Sequence, residues 1–190
     1  MKLVFATNNQ NKLSEIRSLV PNGITILCLD DINCYEELPE TNPSLKGNAL
    51  QKARYIYDNY GFNCFADDTG LEIDEINGEP GVYSARYAGA ECNDQDNMNL
   101  VLNKMSGKLN RTANFRTVIA LIIDNEDFLF EGICKGFITN YKIGTNGFGY
   151  DPIFKPLSFE KTFAEMDSIQ KGKISHRGKA VNKLIQFLKL

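Results

Sequence analysis

The fold of this chain is decided near its start, by Lys2-Leu3-Val4-Phe5-Ala6 and the polar segment Thr7-Asn8-Asn9-Gln10-Asn11-Lys12 that follows. The first segment is a short apolar run that predicts a buried strand, and residues 14–20 place their apolar side chains at helical spacing. A strand, a turn and a helix in this order indicate an α/β protein. The turn offers hydroxyls, amides and backbone N–H groups to an anion, but taken alone it favours an ordinary turn with an Asn cap and a solvated Lys12.

Further apolar patterns continue along the chain. Strands are predicted over residues 24–29, 62–66, 71–76, 117–123 and 128–137. Helices are predicted over residues 44–60, 93–105 and 175–190, the last with Ser175 as its N-cap. The last two strands are expected to pair as a hairpin, which gives the sheet antiparallel character. No repeat or linker divides the chain, so we expect a single domain over residues 1–190.

Composition limits the partners of the chain. Its 190 residues are 43% hydrophobic, which is enough apolar surface for one core, and its formal net charge is −3. A net negative chain lacks the basic stripe that binds duplex DNA or an anionic membrane, so no nucleic-acid polymer and no membrane are expected as partners. The start has too few apolar residues for a signal sequence, and no later run approaches a membrane span. We therefore expect a soluble, cytoplasmic protein with a small partner.

Cysteine and histidine usage limits the metal chemistry. The five cysteines lie far apart without a Cys-x-x-Cys pair, which favours reduced thiols. The single histidine, His176, excludes a multi-histidine zinc site. A bound metal would then be held mainly by carboxylates, which favours Mg²⁺ or Mn²⁺.

Two adjacent carboxylates follow the predicted strand at 62–66, in Ala66-Asp67-Asp68-Thr69-Gly70. Successive side chains leave a strand on opposite sides, so one carboxylate can face a cleft while its neighbour supports a cation. An exposed acidic corner between two strands is the alternative, and both interpretations stay open at this point. Glu40 adds a carboxylate before the predicted helix at 44–60, and Lys52 lies on that helix.

Two later segments carry groups suited to a nucleotide base. The segment Gly144-Thr145-Asn146-Gly147-Phe148-Gly149-Tyr150-Asp151 combines a flexible backbone with aromatic rings that can stack on a base, although such segments are more often plain turns. Lys171, His176 and Arg177 gather donors around the start of the last predicted helix, which suits keto oxygens or phosphate. A lone histidine near a helix start is usually just a surface residue.

Seven blocks, in order along nearly the whole chain, resemble the Ham1-like inosine triphosphate pyrophosphatases. The blocks are Thr7-Asn8-Asn9-Gln10-Asn11-Lys12, Pro39-Glu40-Thr41 with Asn48-Ala49 and Lys52-Ala53, Ala66-Asp67-Asp68-Thr69-Gly70-Leu71, Pro80-Gly81-Val82-Tyr83-Ser84-Ala85-Arg86-Tyr87, Gly147-Phe148-Gly149-Tyr150-Asp151-Pro152, Phe163-Ala164-Glu165-Met166 and Ser175-His176-Arg177-Gly178. The order and spacing of all seven, rather than any single block, carry the resemblance.

This resemblance implies a fold, an activity and partners. The fold would be α/β, with a mixed twisted β-sheet flanked by helices, in two lobes with the active-site cleft between them. The activity would be hydrolysis of noncanonical purine nucleoside triphosphates (ITP, dITP and XTP) to the monophosphate and pyrophosphate, which cleanses the nucleotide pool. Mg²⁺ is the implied cofactor, with Mn²⁺ as a substitute, and a homodimer is the implied assembly.

The resemblance also implies a role for each matching residue. Asp68 would be the general base and, with Glu40, would hold the metal. Lys52 would neutralise phosphate charge, Thr69 would contact the substrate and Phe148 would stack on its base. The other implied substrate contacts are Thr7, Asn8, Asn9, Gln10, Asn11 and Lys12 for the triphosphate, Gly149, Tyr150 and Asp151 for the base, and Lys171, His176 and Arg177 as purine-reading residues.

The chain departs from the family pattern at three positions. Gly47 stands where many relatives carry Glu, Asn42 replaces a common Gly, and Gln170 stands where a Glu often precedes the Lys that matches Lys171. Gly47 removes an acid that could support the metal, so the ligands beyond the two carboxylates stay open.

Two alternative functions also stay open. A Maf-like nucleotide pyrophosphatase would share the phosphate turn but prefer pyrimidine or modified-base triphosphates, and a non-catalytic nucleotide sensor would bind triphosphate without turnover. The Asp67-Asp68 pair and Lys12 argue against the sensor. Phe148 and the Ser175-His176-Arg177 block argue against the Maf-like enzyme.

Overall fold

The computed structural model of the protein describes residues 1–189, and residue 190, the end of the last predicted helix, lies outside this part. Its strands are β1 (Lys2–Phe5), β2 (Thr25–Leu27), β3 (Cys64–Ile73), β4 (Glu79–Gly81), β5 (Thr112–Ile123), β6 (Glu126–Ile138) and β7 (Phe154–Pro156). Its α-helices are α1 (Gln10–Leu19), α2 (Leu45–Tyr60), α3 (Asp94–Lys104), α4 (Ser168–Ile174) and α5 (His176–Leu188). Short 3₁₀ helices lie at Asp30–Ile32, Asp74–Ile76, Ser84–Arg86, Asp151–Ile153 and Phe163–Glu165.

The strands form one sheet with the order β2-β1-β3-β5-β6-β7, and β4 pairs with β3. β1 is parallel to both of its neighbours, so Val4 lies opposite Leu27 of β2 and Cys64 of β3. β4 is antiparallel to β3, and β7 is antiparallel to β6. The sheet is therefore mixed, and the predicted α/β class is confirmed.

The chain divides into two compact units. Unit 1 comprises Met1–Asp68, Thr117–Gly132 and Arg177–Leu190, and unit 2 comprises Thr69–Arg116 and Ile133–His176. The strands β3, β5 and β6 each begin in one unit and end in the other. A single domain over residues 1–190 and a cleft between two lobes both stay predictions.

Unit 1 is built around β1 and the helices α1 and α5. The rings of Phe5 and Phe65, on neighbouring strands, stack with their centroids 4.6 Å apart. Leu13 and Ile16 of α1 are buried in the same cluster as Leu184 of α5. Because the apolar residues of each helix recur at helical spacing, each helix has one apolar face that it buries in this core.

Unit 2 has a core of its own, rich in aromatic rings. Phe115 packs edge-on against Phe154, with centroids 4.7 Å apart, and lies 6.1 Å from Phe163. Met98 and Val101 of α3 are buried in the same cluster. Each unit thus buries its own apolar surface, which is the main favourable contribution to folding.

The structure corrects the prediction around the two aspartates. β3 is one continuous strand, so Asp67 and Asp68 lie in its middle rather than at a corner between two strands. Both carboxylates are buried and hydrogen-bonded, which allows the strand to continue through them. Gly70 allows β4 to pair there, because a Cβ at this position would lie 2.6 Å from the carbonyl oxygen of Gly81.

Several boundaries also differ from the prediction. α1 begins at Gln10 rather than at residue 14, and β5 begins at Thr112 rather than at residue 117. The short helix α4 was not predicted, and Ser175 is its C-cap as well as the residue that precedes α5. Seven mostly polar residues carry too little periodicity to indicate a helix.

Within residues 1–189, every helix is too short or too polar to cross a bilayer.

Candidate functional site

The turn between β1 and α1 is held by its own polar side chains. Thr7 accepts a hydrogen bond from the backbone N–H of Asn9 (3.2 Å), and Asn9 accepts one from the backbone N–H of Lys12 (3.1 Å). Asn9 is thus the N-cap of α1, which confirms the predicted Asn cap. The other exposed side chains of the turn are Asn8, Gln10 and Asn11. The positive end of α1 therefore lies beside a turn that a ligand can reach.

An ordinary turn would leave Lys12 solvated. In the structure, Lys12 is paired with a buried carboxylate instead. Its Nζ lies 3.0 Å from Oδ1 of Asp67, whose side chain is 0% exposed. The Nε of Arg177 lies 3.4 Å from Oδ2 of the same carboxylate, and the guanidinium of Arg177 also pairs with Glu15. Two cations of unit 1 thus meet at Asp67. The purine contact that the sequence predicts for Arg177 stays a prediction.

The charges of this cluster shift the pKa values of its members. Burial alone would raise the pKa of Asp67, but Lys12 and Arg177 lower it well below its ordinary value. Burial lowers the pKa of Lys12, and Asp67 opposes this change. Burial would also lower the pKa of Arg177, but Asp67 and Glu15 raise it above its ordinary value. Asp67 is therefore held as a carboxylate between two cations.

Asp68, the next residue of β3, has different partners. Its side chain is 7% exposed, and its Oδ2 accepts a hydrogen bond from Nδ2 of Asn48 in α2 (3.1 Å). Burial raises the pKa of Asp68, and the positive charges of Lys52 and Lys12 only partly offset that increase. A buried carboxylate with a raised pKa is a stronger base than an exposed one, and such groups are common at functional sites.

Glu40 and Lys52 form a further charged pair of unit 1. Lys52 lies on α2, is almost fully buried and forms an ion pair with Glu40, whose side chain is 35% exposed. The negative charge of Glu40 adds to the raised pKa of Asp68, so the two carboxylates interact. Lys52 therefore lies close to both carboxylates, and its predicted role at the phosphates stays a prediction.

Glu40 and Asp68 suit a hard cation that takes few protein ligands. Within residues 1–189, no group of three or more His, Cys, Asp or Glu side chains could hold a metal ion. Mg²⁺ is commonly bound through only one or two carboxylates, together with water and the phosphates of a substrate. The donors present here are carboxylate oxygens, one of them partly exposed, and they fit that kind of binding.

The glycine-rich segment of unit 2 is held in place by contacts to the side chain of Asp151. Oδ2 of Asp151 accepts a hydrogen bond from the backbone N–H of Phe148 (2.9 Å) and pairs with Nζ of Lys171 (2.7 Å). Gly147 has φ 77°, and a Cβ there would lie 2.0 Å from the same oxygen. The backbone N–H of Gly149 donates to Asp94 (2.7 Å). Specific side chains, Asp151 and Asp94, thus hold the backbone of this turn.

Lys171 and Phe148 lie together in this segment. The ammonium of Lys171 is 5.0 Å from the centroid of the Phe148 ring, within the range of a cation–π interaction. Tyr150 is buried, and its hydroxyl donates to the carbonyl oxygen of Ser84 (2.7 Å), which anchors the segment in the core of unit 2. Unit 2 thus groups a ring, an ammonium and a carboxylate that the sequence predicts as base contacts.

His176 is a core residue of unit 2. The prediction that a lone histidine near a helix start lies on the surface is therefore wrong for this residue. Its side chain is buried and its ring stacks on Phe115, with centroids 4.4 Å apart and planes at 15°. Thr69 is half-buried in β3. Direct contacts of these residues with a substrate stay predictions.

Three residues of these groups were not predicted as site residues. They are Asn48, Glu15 and Asp94. Asn48 had a usable signal, since it lies one helical turn before Lys52 on the face of α2 that also carries Ala49 and Ala53. A polar residue on an otherwise buried face indicates a specific partner. Glu15 and Asp94 carried no comparable signal.

The fold and these groups define a class, namely an α/β protein whose helix N-terminus, buried cations and carboxylates suit a phosphate-bearing ligand. The chain belongs to the Ham1 family, whose model matches residues 3–187.

Individual relatives match over their full length. A protein of Flavobacterium johnsoniae named dITP/XTP pyrophosphatase is 59% identical over 99% of this chain and 98% of its own. One of the same name from Flavobacterium psychrophilum is 54% identical over 100% of both chains. The solved structure of the Staphylococcus aureus Ham1 protein has a TM-score of 0.90 and 38% identity, covering 100% of this chain and 98% of that one. The resemblance drawn from the sequence blocks is confirmed.

Proposed function

We propose that the protein hydrolyses noncanonical purine nucleoside triphosphates, namely dITP, ITP and XTP, to the monophosphate and pyrophosphate. The observation that carries this proposal is the buried carboxylate of Asp68, with a raised pKa beside Lys52 and Lys12, in a chain whose full-length relatives are named dITP/XTP pyrophosphatases. This makes the protein a hydrolase that acts on an acid anhydride.

Asp68 is the general base of the proposed reaction. It takes a proton from the water that breaks the anhydride linkage between the α- and β-phosphates. Lys12, Lys52 and the backbone N–H groups at the start of α1 bind the triphosphate and stabilise the charge that develops on its oxygens. The exposed amides of Asn8, Gln10 and Asn11 would bind the same group.

Glu40 and Asp68 would hold Mg²⁺, with Mn²⁺ as a substitute. A bound cation of this kind polarises phosphate oxygens and lowers the pKa of an attacking water. The partly exposed Glu40 and the buried Asp68 supply oxygen ligands from two segments of unit 1.

The residues of unit 2 would select the base. Phe148 offers a ring for stacking, and Asp151 holds the ammonium of Lys171 in place beside it. A donor such as Lys171 or His176 of unit 2, or Arg177 of unit 1, can bind the 6-keto oxygen of hypoxanthine or xanthine. The 6-amino group of adenine would present a donor to that donor, which disfavours ATP.

The test is a substrate panel of dITP, ITP, XTP, GTP, ATP and UTP with Mg²⁺, in which pyrophosphate and orthophosphate are assayed separately. We expect pyrophosphate from the first three substrates and none from Asp68→Asn. Asp127→Asn, which changes a surface carboxylate paired with Arg54, is the matched control and should stay active. Orthophosphate as the product would refute the mechanism, and a preference for UTP would indicate a Maf-like enzyme.

A homodimer and a cytoplasmic location are further parts of this proposal. Light scattering of the purified protein tests the first, because a monomer at micromolar concentration would contradict it. Fractionation of cells that express a tagged chain tests the second.

A further inference from the structure

Asn48, on the first turn of α2, is completely buried and makes hydrogen bonds through both ends of its amide. Its Oδ1 accepts from the backbone N–H of Asn42 (2.8 Å), and its Nδ2 donates to Oδ2 of Asp68 (3.1 Å). One end of a primary amide only accepts and the other only donates, so a single orientation satisfies both partners. The side-chain amide of Asn48 therefore has one orientation, with its Nδ2 donor directed at Asp68.

The two partners lie where the proposed reaction needs precise geometry. Asp68 is the proposed base, and Asn42 follows Glu40, the other proposed metal ligand, by two positions. A hydrogen bond to a carboxylate is stronger than one between neutral groups, so it restrains the plane of the Asp68 carboxylate. The same amide also ties the segment of Glu40 to α2.

We propose that Asn48 is a positioning residue, which orients the carboxylate of Asp68 for proton transfer and links it to the segment that carries Glu40. This inference rests on the proposed function. It predicts a loss in kcat rather than in substrate affinity. Asn48 contacts Asp68, the proposed general base, but neither Lys12 of the phosphate turn nor Phe148 of the purine site. A catalytic group that is misplaced by about 1 Å can lose on the order of 10²-fold in rate.

A purely structural role is the competing explanation, and the chain offers a matched control for it. Asn97, on the first turn of α3, is also buried and also uses both ends of its amide. It accepts from the backbone N–H of Ala88 (2.7 Å) and donates to the carbonyl oxygen of Ala85 (2.9 Å). The two asparagines therefore differ mainly in that only Asn48 donates to the proposed base.

The experiment compares Asn48→Ala, Asn48→Asp and Asn97→Ala with the wild-type protein. For each we would measure kcat and KM with XTP and Mg²⁺, the thermal midpoint, and the affinity for the non-hydrolysable α,β-imido analogue of ITP by calorimetry. Asn48→Asp keeps the size and the acceptor, but it loses the amide donor and places a second carboxyl group beside Asp68. A kcat that survives this change would therefore exclude the inference even if Asn48→Ala does not fold.

We expect both Asn48 variants to lose about 10- to 100-fold in kcat. Asn48→Ala should bind the analogue within about threefold of wild type, and Asn97→Ala should lose thermal stability but keep its kcat. A kcat for Asn48→Asp within about threefold of wild type would overturn the inference alone. A rise in KM and a loss of analogue affinity without a loss in kcat would do the same. A wild-type protein that releases no pyrophosphate would overturn the proposed function and this inference with it.

Discussion

Lys12 and Asp67 lie 55 residues apart in sequence, yet their side chains form an ion pair of 3.0 Å in the interior of unit 1. Arg177 reaches the other oxygen of the same carboxylate from α5. Asp67 thus links α1, β3 and α5. Its neighbour Asp68 is also buried, but its pKa is raised rather than lowered. Two adjacent aspartates therefore have opposite electrostatic consequences for folding.

This opposition predicts opposite effects of two matched substitutions at neutral pH. Asp67→Asn leaves two buried cations without their shared carboxylate and should lower the free energy of unfolding by about 3–5 kcal/mol. Asp68→Asn removes a buried charge whose raised pKa marks a net cost, so it should leave that free energy unchanged or increase it. Urea unfolding at pH 7 measures both. Equal losses in the two variants would contradict this account.

The pH dependence of stability should follow from the lowered pKa of Asp67. A carboxyl group with a lower pKa in the folded state stabilises the protein fully above its unfolded value of 3.8 and loses that contribution as the pH falls toward the folded value. The difference in unfolding free energy between wild type and Asp67→Asn should be constant above about pH 5 and shrink below about pH 4. A difference that shrank as the pH rose would have the wrong sign.

Asn42 and Gly47 should behave as a coupled pair. Gly→Ala inside a helix usually stabilises by about 1 kcal/mol. A Cβ at Gly47, however, would lie 2.6 Å from the Cβ of Asn42, so Gly47→Ala should destabilise by about 1–3 kcal/mol. Asn42→Gly removes the obstacle, and the double variant should be more stable than Gly47→Ala alone. Additive effects in this double-mutant cycle would show that the two sites do not interact. Non-additive effects would mean that Asn42 and Gly47, the two departures from the family pattern, are one exchange of side-chain volume.

Gly147→Ala should disrupt the base-binding segment of unit 2. Its Cβ would meet Oδ2 of Asp151, which holds the backbone of Phe148 and the ammonium of Lys171. We expect KM for XTP to rise about tenfold, as for the loss of one or two hydrogen bonds. Gly78→Ala is the control, because Gly78 also has a positive φ (82°) but would place its Cβ in open space. A similar KM in both variants would exclude this role of Asp151.

Local patterns predicted much of the fold. The helix predicted over residues 44–60 matches α2 to within one residue, with Ser44 as the N-cap and Gly61 as the C-cap, and Asn9 caps α1 as the polar turn implies. The hairpin of β5 and β6 turns at Asp124 and Asn125, which have positive φ angles of 50° and 70°. Turn and cap residues act on their near neighbours, so a sequence shows them directly.

The partners of the buried charges could not be predicted in this way. Asp67 interrupts an apolar run, so the local pattern predicts that the strand ends there. Its burial is possible because Lys12 and Arg177, 55 and 110 residues away in sequence, bond its carboxylate. The same holds for Asn48 and Asp68. The family resemblance supplied roles for single residues, but which side chains meet depends on long-range packing that no local pattern records.

The interleaving of the two units has a consequence for truncated forms of the protein. Neither unit is a continuous stretch of chain, since three strands pass from one to the other. A stop codon at position 177 would leave unit 2 whole but remove α5 except for its first residue and, with it, the guanidinium that pairs with Asp67. No single cut in the gene yields one complete unit by itself, so the protein should tolerate point substitutions far better than shortening from its C-terminal side.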